Sequence, residues 1–166
     1  YTSLGRYGEA ESLLNRTIQV IEAAFSPDHP DLISPLNNLA YQLVNLGRYK
    51  EAEALLERSL KITEVSLGPD HPSAARAFLS LADMALFSGD RIPEALTFLD
   101  RAISIYDNTS SVPYNRLRAY SKRAQLYRVR GDSVGAISDL EESLVSLEAL
   151  RPNLGSDDEV RAGFMS

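Results

Sequence analysis

The strongest constraint on this chain is that it repeats itself. LGRYGEAESLLNR at 4–16 returns as LGRYKEAEALLER at 46–58, 42 residues on. Asp28-His29-Pro30 returns at Asp70-His71-Pro72 with the same step, and LNNLA at 36–40 aligns with FLSLA at 78–82. Weaker copies, SGD at 88–90 and RGD at 130–132, keep the step. One residue is added in the first turn of the third unit, so that Ala52 matches Ala95, and the loop before Tyr114 is correspondingly shorter. A period of this size marks a solenoid, in which each unit buries its apolar face against its neighbours.

Within each unit the apolar spacing is that of an amphipathic helix. Ala52, Leu55, Leu56, Leu60 and Ile62 follow the i, i+3, i+4 pattern, as do Leu36, Leu39, Ala40, Leu43 and Leu46. Gly47, Gly89 and Gly131 each end such a stretch, where a left-handed residue is needed after a helix. Few residues follow before the next helix, so each pair has to fold back antiparallel. Ala40, Ala52, Ala82, Ala95, Ala124 and Ala136 recur where two helices would approach most closely. The pattern predicts helices over 7–25, 31–46, 49–67, 73–88, 93–106, 114–130 and 133–150. Pro35 lacks an amide hydrogen and crowds the preceding turn, so the regular helix is expected to begin near Ser34 or to bend there.

Helix pairs carrying LNNLA, LGRYKEAEALLERSL and LGPDHP resemble tetratricopeptide repeats, in the 42-residue variety of kinesin light chains and many bacterial proteins. The common unit is about 34 residues, and the longer one adds about two helical turns. The resemblance covers residues 1–150, with units starting near 4, 46, 88 and 130. It implies an all-α right-handed superhelical solenoid of antiparallel helix pairs. It also implies a protein–protein interaction scaffold that holds a peptide or partner segment in its concave groove. The fourth unit departs from the pattern, with Ser133 where Tyr7 and Tyr49 stand and Arg123 where Leu39 and Leu81 stand. Such departures suit a terminal, partly capping repeat.

Residues 151–166 read as a linker or the start of a further helix. Pro152 and Gly155 break the preceding one, and Ser156 with Glu159 forms a capping-box pattern. This stretch resembles the segment joining tetratricopeptide repeats to a caspase-like peptidase domain in bacterial repeat-plus-CHAT proteins. That resemblance implies an alternative role, a regulatory or assembly arm of a larger signalling or peptidase protein.

The totals narrow the classes. The net charge of −6 argues against nucleic acid as a partner, since a phosphate-binding face needs clustered Lys and Arg. No apolar run approaches the roughly 20 residues of a membrane span, so no membrane partner is expected. Cysteine is absent, which removes disulfides and thiolate chemistry and fits a cytoplasmic setting. The chain opens on Tyr1 without an initiator Met and reads as a fragment, so a missing targeting signal says little.

The only two histidines, His29 and His71, each stand between an aspartate and a proline. Equivalent positions on neighbouring rungs lie roughly 10 Å apart, too far to share one metal at ~2 Å bonds. A structural reading accounts for them. Proline suits the first helical position, the residue before it is pushed out of helical conformation, and Asp28 and Asp70 are placed to accept from orphan amides. Glu9/Glu11, Glu51/Glu53 and Glu141/Glu142 lie beside basic residues on helical faces and read as solvated pairs. No nucleophile, phosphate-loop or dinucleotide motif is present. The chain is expected to be no enzyme and to need no cofactor or metal.

In the repeat family the first helix of each pair lines the concave surface. Setting aside core positions leaves Ser34, Asn37, Asn38, Tyr41 and Asn45 as its inner-face candidates. One repeat on these become Arg76, Leu79, Ser80, Asp83 and Phe87, and two repeats on Arg118, Ser121, Lys122, Gln125 and Val129. Asparagine both donates and accepts, which suits gripping a peptide backbone. Helix-to-helix bonding is the equal alternative for Asn37 and Asn38, and Phe87 reads as core rather than contact.

From Tyr114 to Gly131 come Arg116, Arg118, Lys122, Arg123, Arg128 and Arg130 with no acid among them. Two outcomes stay open. The patch receives an acidic or amphipathic peptide, since Arg binds carboxylates as a fork; or it is neutralised internally by Glu141, Glu142 or the acidic run 157–159. Tyr114, Tyr120 and Tyr127 have core spacing. Finally, Leu13, Leu14, Ile18 and Ile21 on the first helix are expected to be partly bare, a face for self-association or for continuation of the array.

Overall fold

The computed structural model describes residues 2–87, 91–109 and 113–150, with side chains from Gly8 onward and Pro113 excepted. The described residues form helices α1 (Thr2–Ala24), α2 (Ile33–Asn45), α3 (Tyr49–Ser66), α4 (Pro72–Phe87), α5 (Ile92–Asn108), α6 (Pro113–Val129) and α7 (Ser133–Leu150), with no strand among them. One turn of 3-10 helix, Pro30–Leu32, leads into α2. Pro35 sits in the first turn of α2, where its missing amide hydrogen has no intrahelical partner to lose.

The chain divides into two compact units, residues 1–105 and 106–166. In the first, α2 is the hub, packed on α1, α3 and α4. Leu36, Ala40, Leu43 and Val44 of α2 meet Ala52, Leu56 and Ile62 of α3 and Ala77, Leu81 and Met84 of α4 in one buried cluster. The alanines at 40, 52 and 77, all fully buried, let the helix axes approach. The α2–α3 turn is a Schellman cap: Gly47 takes φ 76°, the Arg48 amide donates to the Leu43 carbonyl at 2.9 Å and the Gly47 amide to Val44 at 3.1 Å. On the outside, Arg48 bridges Glu11 and Glu51, each at 2.7 Å, and Arg58 pairs with Glu22 at 2.7 Å while also donating to the Pro27 carbonyl. These arginines tie α3 to α1 across a repeat.

Two expectations change at the start of the chain. Residues 4–6 repeat the turn at 46–48 in sequence, yet α1 runs through them from Thr2. The later turn is held by carbonyls of α2, whereas residues 2–7 continue the helix of α1. Of Leu13, Leu14, Ile18 and Ile21 on α1, Ile18 is buried, Leu14 and Ile21 are half-buried against the core, and Leu13 is bare, as is Val20 on the same helix.

The described part of the second unit comprises the last residues of α5 with the α6–α7 hairpin. Its turn reproduces the first: Gly131 takes φ 79° and the Asp132 amide donates to the Tyr127 carbonyl at 2.9 Å. Gly89, the third expected turn glycine, lies outside the described residues. The packing of α7 is inverted. It buries Ala136, Asp139, Ser143 and Ser146, and turns Val134, Ile137, Leu140, Leu144, Val145 and Leu147 outward.

Candidate interaction surface

On α2, Ser34, Asn38, Tyr41 and Asn45 are all exposed and fall at i, i+4, i+7 and i+11, which makes one continuous stripe. Asn37 is not part of it. It is 4% exposed, and its side-chain amide donates to the Ser73 carbonyl of α4 at 3.3 Å, the helix-to-helix role.

The equivalent stripe on α4 does not form. Leu79, Ser80 and Asp83 are buried and Arg76 is half-buried, whereas Phe87, read as core, is 61% exposed. The error came from carrying the buried positions of α2 forward by 42 residues. With Ala74, Ala75, Ala77, Ala82 and Ala85, α4 is so narrow that it is enclosed around most of its girth.

In the second unit Gln125 is exposed, and Arg118, Ser121 and Lys122 are half-buried. Ser121 shares a hydrogen bond with Ser143 of α7 at 2.9 Å, so it joins helices. Two members of the basic run are consumed inside the fold. Arg116 bonds Asp107 at 2.8 Å, Glu142 at 2.7 Å and the Ser146 hydroxyl at 2.8 Å. Arg123 grips Asp139 with two bonds of 2.8 Å. Internal neutralisation therefore holds for these two arginines, through Asp107, Asp139 and Glu142; Glu141 stays exposed and the run 157–159 lies outside the described residues.

Tyr120 lies beneath both guanidinium groups, 4.9 Å from that of Arg116 and 5.5 Å from that of Arg123, and donates to Asp107 at 2.8 Å. Burial and the bond to Asp107 push its phenol up to about 12. Burial pulls the Arg116 guanidinium down, but its bonds to Asp107 and Glu142 outweigh that and hold it above the ordinary value. Tyr127 is half-buried, whereas Tyr114 is exposed and departs from the core spacing.

The histidines act as caps. Nδ1 of His29 accepts from the Asp31 amide at 3.3 Å and Nδ1 of His71 from the Ser73 amide at 3.2 Å. The acceptor role expected of Asp28 and Asp70 thus belongs to the neighbouring imidazoles; Asp70 instead pairs with Arg101 at 2.9 Å. Among the described residues no three His, Asp or Glu side chains converge as metal ligands. No helix among them is long and apolar enough to cross a membrane.

The polar α6–α7 seam escaped the sequence reading. Its signal was present in Arg123, which departs from Leu39, but Asp139 stands where Leu55 stood, and only the two departures together reveal an ion pair.

Antiparallel helix pairs, closed by the same glycine turn and stepping at a fixed period, define an α-helical repeat array. Residues 31–108 match one tetratricopeptide repeat model and residues 1–31 another, and the chain belongs to this family. Among solved structures it is similar to BtubC (BKLC) from P. vanneervenii, with a TM-score of 0.76 at 19% identity over 91% of this chain and 60% of that one. The chain thus spans less than two thirds of BtubC. It is also similar to a Podosopora anserina putative kinesin light chain with nearly identical TPR-like repeats, with a TM-score of 0.60 at 25% identity, covering 89% and 70% of the two chains. A singly substituted form of that protein gives 0.64 at 24% identity, covering 92% and 72%. These likenesses place the fold among right-handed superhelical solenoids of antiparallel helix pairs. Among curated proteins, none matches it significantly.

Proposed function

We propose that the chain is a non-catalytic protein-interaction scaffold that takes an extended peptide along the exposed stripe of α2. Membership of the tetratricopeptide repeat family supports the scaffold role. The stripe itself carries the finer reading. Ser34, Asn38, Tyr41 and Asn45 face outward from a helix whose other sides are sealed in the core. Asn38 and Asn45 can donate to and accept from a peptide backbone, and Tyr41 offers a rigid apolar face with a polar tip. With Arg116 and Arg123 engaged inside the fold, recognition rests on these groups more than on attraction to acidic side chains.

A displayed random-peptide library panned on the immobilised protein tests this. Peptides selected on the wild type should lose at least about tenfold in affinity for Tyr41→Ala combined with Asn45→Ala, where one buried interfacial aromatic is worth ~2 kcal/mol. They should bind Glu57→Ala, an exposed change on α3, as before. Selected peptides that bind the α2 variant undiminished while its helicity is intact would place the contact elsewhere.

A further inference from the structure

Phe25 and Leu67 are one position of the repeat, 42 residues apart, and each is the first residue after its helix, α1 (Thr2–Ala24) or α3 (Tyr49–Ser66). Both are large, apolar and exposed, at 63% and 45%, and Val65, two residues before Leu67, is 84% exposed. Loops of this kind are ordinarily polar and mobile. These two are fixed from both sides. His29 and His71 cap their own loops through Nδ1, and the ring of His29 stacks on that of Phe25 with centroids 4.3 Å apart. From the next rung, Arg58 of α3 holds Glu22 and the Pro27 carbonyl, and Arg101 of α5 holds Asp70. One edge of the first unit thus presents a row of apolar side chains on a rigid frame, which a partner can bury at little cost in ordering.

We propose that this edge docks a polyproline-II segment of a partner protein, with apolar side chains at every third position and lysine or arginine between them. Equivalent positions on neighbouring rungs lie roughly 10 Å apart. A polyproline-II segment advances about 9 Å per three-residue turn and returns the same edge at i and i+3, so one turn spans from Phe25 to Leu67. A β-strand returns one face only at even spacings, about 6.6 or 13 Å, and misses the row. An α-helix meets the spacing at i and i+7, but its apolar stripe is several side chains wide, and a single row leaves most of it in water. A polyproline-II backbone has no internal hydrogen bonds and stays solvated, so a narrow contact suffices, and such segments dock on exposed aromatic rings. Charge sets the residues between. Asp28 and Asp31 are exposed in the Phe25 loop and Glu64 is exposed next to Val65; Lys61 is exposed beside Glu64, which leaves a surplus of carboxylates. That surplus favours basic residues on the segment. The edge shares no residue with the stripe of α2 and takes a different ligand.

The probe is a fluorescein-labelled peptide that repeats Leu-Pro-Lys four times, titrated by fluorescence anisotropy. The wild type should bind it at least about tenfold tighter than a shuffled peptide with leucines at even spacings, and than a Leu-Pro-Glu repeat. Phe25→Ser with Leu67→Ser should lose about tenfold or more, with helicity by circular dichroism unchanged. Tyr41→Ala with Asn45→Ala should bind as the wild type does, which separates this edge from the α2 stripe. Asp28→Lys with Glu64→Lys should reverse the preference between the Lys and Glu repeats, a readout that misfolding does not imitate. No binding at millimolar peptide, equal binding by the Phe25 and Leu67 variant, or equal affinity for periodic and shuffled peptides would each overturn the proposal. Tighter binding of a helical peptide with leucines seven apart would put a helix on this edge and overturn it as well.

Discussion

Arg123 of α6 and Asp139 of α7 meet as a two-pronged ion pair, both bonds at 2.8 Å, at positions held by Leu39 and Leu55 two repeats earlier. An apolar contact has been exchanged for a charged one within an otherwise conserved hairpin geometry. Asp139 is almost wholly enclosed and Arg123 is 18% exposed, so neither charge has ready access to water.

Asp139→Ala should accordingly destabilise the hairpin by ~3 kcal/mol, because it removes the enclosed carboxylate that takes both of these guanidinium bonds. Arg123→Leu with Asp139→Leu restores the apolar pair of the earlier repeat and should be neutral or stabilising by ~1–4 kcal/mol. Urea denaturation of the single and double variants decides it. Equal loss in both would mean that the seam is not held by this pair.

Tyr120 gives a pH signature. Its phenol is ordinarily near 10 and is held at about 12 by burial and by the bond to Asp107, so the fold favours the protonated form. Its contribution to stability is full below pH ~10 and is lost as pH rises through about 12. A spectrophotometric titration should show one late tyrosine. Tyr120→Phe should remove it, and Asp107→Asn should bring it earlier.

His71→Ala removes the acceptor for the Ser73 amide and should cost ~1 kcal/mol in a thermal or urea melt. His71→Asn can accept in the same place and should recover most of that. Added chelator should leave both melts unmoved, and a chelator-dependent drop would reopen a metal role.

Gly47→Ala tests the turn. Nothing lies within 4 Å of an added Cβ, so the cost comes from φ 76° alone and should be ~1–2 kcal/mol. Gly47→Asn should cost less, since asparagine tolerates this conformation better. A neutral Gly47→Ala in urea denaturation would mean that the turn relaxes.

Much of the fold was legible because the repeat supplies its own alignment: Gly47 and Gly131, the alanine positions and the α3 and α7 bounds all follow from one step. The surface was less so. Ser80 and Asp83 are polar and share the register of exposed Asn38 and Tyr41, yet they are buried, because burial of a position depends on how closely its neighbours come. On α4 that closeness follows from five alanines rather than from the residue itself. The outward apolar face of α7 was hidden for a related reason. A helical pattern shows which residues share a face but not which face meets which neighbour, and here the polar face was the one turned inward.

Chains built of near-identical segments face an assembly hazard, since any first helix can try any second one as it emerges. The α6–α7 seam removes the ambiguity. Were α6 to close on α3, Arg123 would lie against Leu55; were α2 to close on α7, Asp139 would lie against Leu39. Either mismatch buries a lone charge at a cost of several kcal/mol, so both errors reverse themselves. The ion pair thus works as a mating key, admitting one partner among look-alikes and leaving the hydrophobic surfaces free to be similar.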